Sequence, residues 1–95
     1  MIRHVVLWRL KSDQADSFEG IRIALEGQIG RVPGLARVEV GRNFGVSRRA
    51  VDFCLICDFE SRAALDAYHR HPAHHEVRAI VDPLIAEHWI ADYEL

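Results

Sequence analysis

The stretch Ile2–Leu10 sets the tightest limit on what this chain can fold into. It alternates with the period of a β-strand, placing Ile2, His4, Val6, Trp8 and Leu10 on one face and Arg3, Val5, Leu7 and Arg9 on the other. Apolar side chains stand on both faces. A sheet with helices on one side only would leave the second face wet, so this strand calls for a partner that covers it.

The rest of the chain supplies the layers. Asp13 can cap a helix over residues 13–31, with Phe18, Ile21, Leu25, Ile29 and Val32 as its buried stripe and Gln28 alongside. Pro33-Gly34 ends it. Residues 35–44 read as a second strand, with Leu35, Arg37, Glu39 and Gly41 opposing Ala36, Val38 and Val40. After a polar connection over 45–49, residues 51–59 form a third strand, nearly all apolar and so buried on both faces. Phe53, Leu55, Cys57 and Phe59 share one face of it, and Cys54 and Ile56 the other.

Ser61 caps a short helix through Ala64, Leu65 and Tyr68. Proline suits the first turn of a helix and not its interior, so the helix breaks near His71 and restarts at Pro72. The restarted helix carries Val77, Ile80, Val81 and Leu84 as its stripe, and Pro83 ends or kinks it. Residues 87–95 are a last strand, with Trp89, Ala91, Tyr93 and Leu95 facing one way and His88, Ile90, Asp92 and Glu94 the other. The order βαββαβ specifies an α+β, ferredoxin-like fold with a four-stranded antiparallel sheet.

Ninety-five residues make one domain, 1–95. A chain of this size buries only about 60% of the surface its unfolded form exposes, and oligomerisation often supplies the rest. The net charge of -2 gives no basic footprint for nucleic acid. Arg42, Arg48 and Arg49 do gather, but Glu39 and Asp52 flank them. No apolar run reaches the roughly eighteen residues of a membrane span, and the opening residues lack a signal peptide's pattern. The expected compartment is the cytoplasm, with no membrane partner. Cys54 and Cys57 fit a reducing environment, since a spacing of three in a strand puts the thiols on opposite faces.

The stretch Tyr68-His69-Arg70-His71-Pro72-Ala73-His74-His75 holds four of the six histidines, at the junction of two helices. A metal site is the first reading to test. His71 with His74 or His75 has helical spacing, but Pro72 leaves His71 outside the regular helix. The H-E-x-x-H order is absent, and no further Cys/His pair stands at ligand spacing. No metal ligands are assigned.

With these pieces in place the chain resembles the stress-responsive A/B barrel (Dabb) family over essentially its whole length. The resemblance rests on Ile2-Arg3-His4-Val5-Val6-Leu7, Pro33-Gly34-Leu35 and Val40-Gly41-Arg42-Asn43. Asp58-Phe59-Glu60-Ser61, Leu65-Asp66-Ala67-Tyr68, His71-Pro72-Ala73-His74 and Ala91-Asp92-Tyr93 extend it. The family implies a homodimer in which two such sheets close face to face into a dimeric α/β barrel. A plant polyketide cyclase of the family works through a tyrosine and a histidine, without metal or organic cofactor. Those residues match Tyr68 and His74 here, and a carboxylate near the histidine matches Asp92. The cyclase's helix-one aromatics have no counterpart, because Ile21, Arg22 and Leu25 occupy that region.

Three function classes stay open. The first is a small-molecule pocket lined by His4, Val6, Trp8, Leu55, Phe59, His71 and Ile90, taking a hydrophobic carbonyl or phenolic ligand. There His74 would act as general base, oriented by a hydrogen bond to Asp92, and Tyr68 as oxyanion donor, with no cofactor. The second is a non-catalytic stress or assembly protein, in which the same residues form a structural corner with His71 capping the helix. The third is a haem-dependent monooxygenase of the related dimeric barrel type, for which no sequence feature identifies a haem ligand, although His74 or His75 could serve by type.

Overall fold

The computed structural model describes residues 1–95. Four strands, β1 (Ile2–Leu10), β2 (Leu35–Arg42), β3 (Phe53–Phe59) and β4 (Ile85–Glu94), form one antiparallel sheet in the order β2-β3-β1-β4. Three helices, α1 (Phe18–Glu26), α2 (Arg62–Arg70) and α3 (Pro72–Val81), pack on one face. The fold is the ferredoxin-like one that the element order specifies.

Alternation in β1 holds residue by residue. Ile2, His4, Val6 and Trp8 are buried beneath the helices, while Val5 is half-buried and Leu7 exposed on the outer face. Phe53, Leu55, Cys57 and Phe59 of β3 join the same core, and Trp8 stacks on Phe53 with ring centroids 4.7 Å apart. The thiols lie as expected. Cys57 is buried, which pushes it up to about 12, and Cys54 sits half-buried on the opposite face.

Several boundaries differ from the sequence reading. Asp13 caps nothing: a single 3-10 turn, Ala15–Ser17, precedes α1, which stops at Glu26 rather than 31. Gly27 follows as its cap and Gly30 takes a left-handed φ of 82°, so two poor helix formers end it early. Ile29, expected in the stripe, is therefore exposed, while Gln28 and Val32 turn inward. In β2 the register shifts between Leu35 and Arg37, which moves Leu35 to the core side with Val38 and Val40. The third and fourth strands start at Phe53 and Ile85 rather than at 51 and 87. In α3 the buried stripe is Ala73, Val77 and Val81, and Ile80 is exposed.

The helix junction forms as read. Ser61 Oγ accepts from the Ala64 N–H at 3.1 Å to start α2. His71 is extended (φ -74°, ψ 140°), Pro72 opens α3, and His71 Nδ1 accepts from the Ala73 N–H at 3.0 Å. Pro83 sits in a 3-10 turn, Asp82–Leu84, that hands the chain to β4. Gly34 holds a tighter corner. Its φ is 80°, and a Cβ there would lie 2.6 Å from the Ala64 Cβ, so α2 packs against the bare backbone.

Candidate active site

A cavity of about 260 Å³ opens between the helices and the β1/β4 half of the sheet. Its floor is His4, Val6 and Trp8 of β1 with Leu55 of β3, and Ile85, His88 and Ile90 of β4 form one wall. Leu25 of α1, Tyr68 and His69 of α2, and His74, Val77, Arg78 and Val81 of α3 close the other side, with Asp82 beyond. Most of the lining is apolar, and the polar groups are chiefly imidazoles.

Most of the expected pocket residues meet here: His4, Val6, Trp8, Leu55, Ile90, Tyr68 and His74 all line the cavity. Phe59, His71 and Asp92 do not. Phe59 is wholly buried in the core, its ring 5.3 Å from that of Tyr68. His71 is occupied as the cap of α3.

The expected His74–Asp92 hydrogen bond is not formed. Asp92 Oδ1 instead lies 2.5 Å from Nδ1 of His4. The reason is register: β1 and β4 are neighbours, and His4 stands directly across from Asp92 on the helix side of the sheet, within cross-strand reach. His4 is buried while Asp92 keeps two-fifths of its side-chain surface in solvent. His69 of α2 meets the His4 ring edge-on at 5.8 Å.

His74 is left without a partner at Nδ1, a buried nitrogen with no hydrogen bond. Burial, followed by the nearby His69, Arg78, His75 and His4, lowers it to about 4, so it is neutral at physiological pH. Its ring packs edge-on to Tyr68 at 4.6 Å. Tyr68 itself is 3% exposed and donates its hydroxyl to Oε1 of Gln28 at 2.8 Å. Burial keeps that phenol above its ordinary range. Gln28 Nε2 in turn donates to the Ala73 carbonyl at 2.9 Å. Sequence reasoning put Gln28 beside the helical stripe but gave it no role.

Sequence reading gave no site role to His69, Arg78, Asp82 and His88, although neighbouring first and last strands already allowed His4 to approach Asp92 or His88. The signal available was their spacing, since Arg78 is four residues beyond His74 on α3 and His88 shares a strand face with Ile90 and Asp92. Arg78 is held by Asp82, with Nε to Oδ2 at 3.0 Å. No cluster of three or more His, Cys, Asp or Glu side chains is arranged to hold a metal ion.

The pattern of the stress responsive A/B barrel domain, Dabb, matches residues 2–95. The chain belongs to the Dabb family. Among solved structures, a dimeric ferredoxin-like protein of unknown function from Thermobifida fusca is 27% identical, with a TM-score of 0.86 over 99% of this chain and 90% of that one. A Dabb protein with a ferredoxin-like fold from Mesorhizobium loti is 21% identical, with a TM-score of 0.81 over 99% and 95% of the two chains. A protein from Arabidopsis thaliana, 19% identical, superposes with a TM-score of 0.89 over 100% and 95%. The last two likenesses show the fold alone. No curated protein matches the sequence.

Proposed function

We propose that this Dabb protein binds a small, mainly apolar ligand bearing one carbonyl or phenolic oxygen in the cavity between helices and sheet. The observation that carries the reading is His74 Nδ1, a buried and unpartnered polar atom on a residue that lines an otherwise mostly apolar cavity. Apolar walls supply affinity, and a polar atom without a protein partner fixes the ligand's orientation. The test is a thermal-shift screen of aromatic and polyketide-like carbonyl and phenolic compounds. Binders should raise the melting temperature of the wild type and lose that effect in Ile90→Trp, which fills the cavity from its exposed rim. A wild type that no such compound stabilises ends the ligand reading.

The working unit in this proposal is a homodimer joined through the outer sheet face, closing a barrel. Val5, Leu7, Cys54 and Ile56 leave apolar surface there, and Trp89 and Tyr93 of β4 add to it, both more than two-fifths exposed. The Thermobifida fusca relative is described as dimeric. Two free thiols on opposite faces of β3 suit a reducing, cytoplasmic setting.

Tyr68 favours a second, structural reading for part of the expected catalytic set. Its only hydroxyl proton is given to Gln28, so it is better placed to tie α2 to the end of α1, where Gln28 also holds α3, than to stabilise an oxyanion.

A further inference from the structure

We propose that His4, oriented by Asp92, is the general base of this pocket, and that His74 recognises the ligand's oxygen as a neutral hydrogen-bonding group. This inference rests on the ligand-binding reading above and adds the class of reaction: removal of a proton from a carbon acid, a C–H bond next to a carbonyl or similar acceptor.

A working base needs one fixed tautomer, a partner for the imidazolium that forms, and access to the substrate. His4 has all three. Asp92 sits on its Nδ1 at 2.5 Å, which holds the proton there and leaves Nε2 as the basic nitrogen. The carboxylate also stabilises the cation once Nε2 is protonated. The residue lies on the floor of the cavity beside Val6, with Ile90 in the adjoining wall. It stands on a central strand paired on both sides, so its position is rigid.

His74 has none of the first two. No carboxylate touches it, its Nδ1 is unpartnered, and positive or protonatable neighbours surround it: His69 on α2, with His75 and Arg78 on its own helix and His4 across the cavity. Such a ring holds a proton poorly and suits recognition. The groups around His4 are of the opposite balance only through Asp92, since His69, His74 and His88 share its pocket.

The step balances without a co-reactant. Nε2 of His4 takes the proton, the C–H electron pair passes into the adjacent acceptor as an enolate, and the same proton is returned when the product forms. In a cavity of this character the neutral probe nitrobenzisoxazole reports the first half alone. The base removes its ring C–H proton, the N–O bond breaks, and a coloured cyanophenolate leaves with the electron pair.

The experiment measures that reaction with the intact protein, together with binding of the dye anilinonaphthalene sulfonate to the cavity. Wild type should exceed free imidazole at equal concentration. His4→Gln should lower kcat by about 10²-fold or more, in the range usual for a lost general base. Asp92→Asn, at a half-exposed position, should lower kcat and alter the pH profile while the fold remains intact. His74→Gln should raise KM and lower kcat by less than His4→Gln does. Nitrogen NMR on the wild type should show that the neutral form of His4 carries its proton at Nδ1. Dye binding without turnover, or a larger kcat loss for His74→Gln than for His4→Gln, overturns the assignment and leaves the pocket reading standing. Absence of dye binding overturns both.

Discussion

Tyr68 and Gln28 form a hydrogen bond between two buried side chains on different elements, 2.8 Å from hydroxyl to Oε1. The other end of the same amide holds the Ala73 carbonyl at 2.9 Å, in the first turn of α3. One side chain just past the end of α1 therefore fixes both helices that follow β3. It also sets the roof of the cavity, because Tyr68 and His74 hang from those helices.

Gln28→Leu should therefore be costly. It strands the Tyr68 hydroxyl and takes from the Ala73 carbonyl its side-chain donor, and a buried unsatisfied group costs about 1–3 kcal/mol. The expected loss is about 2–4 kcal/mol in urea denaturation, with Tyr68→Phe losing about 1 kcal/mol by removing one bond only. A Gln28→Leu protein as stable as wild type would show that the amide joins the helices in appearance alone.

His74 should make stability depend on pH in the mildly acid range. Its folded pKa, about 4, lies below the ordinary histidine value of 6.5, so the unfolded chain takes up a proton that the folded one refuses. The contribution is complete above pH 6.5 and is withdrawn progressively between 6.5 and 4. Urea midpoints across that window should fall for wild type and fall less steeply for His74→Leu. Parallel curves would mean that His74 titrates as it does in the unfolded chain.

Asp58 acts at lower pH, and its pKa falls for a different reason, a charged partner rather than burial. Arg3 binds it through two bonds, Nε to Oδ1 at 2.8 Å and a second nitrogen to Oδ2 at 3.0 Å, with Arg37 3.7 Å away. The bond to Arg3 chiefly, against the cost of burial, holds its pKa below the ordinary carboxylate range. A depressed carboxylate contributes stability above its unfolded value of about 4 and loses it as pH falls further. Asp58→Asn should flatten the stability curve below about pH 4 and leave the histidine window untouched. A mutant curve as steep as wild type there would place the acid sensitivity elsewhere.

The outer sheet face gives the test of assembly. Val5→Asp puts a charge among Leu7, Ile56 and Trp89, where two sheets would meet. Sedimentation of the wild type at micromolar concentration should give a dimer, and the variant should give monomer or unfolded chain. A wild type that sediments as a stable folded monomer contradicts the homodimer.

Much of the fold was legible because strand alternation and proline placement leave strong marks. The inward set of β1, the cap at Ser61 and the restart at Pro72 all follow from single-residue chemistry. The face change at Leu35 leaves no such mark, since a one-residue register shift there needs neither glycine nor proline at the shifted position. The site divides in the same way. Sequence put His4, Tyr68, His74 and Asp92 in one neighbourhood, but which carboxylate serves which imidazole depends on cross-strand register. That register sets His4 against Asp92, one layer below His74. Gln28 was illegible for a related reason: its partners lie 40 and 45 residues along the chain.

The placement of β1 between β3 and β4 has a consequence for how the protein is made. His4 leaves the ribosome before Asp92, which follows 88 positions later. A central strand thus waits for its second neighbour until β4 has been made, exposing an edge rich in valine and leucine meanwhile. Contacts this distant in sequence close slowly. The nascent chain therefore needs shielding at residues 2–10, and a stalled or truncated product lacking β4 presents an aggregation-prone strand in place of a site.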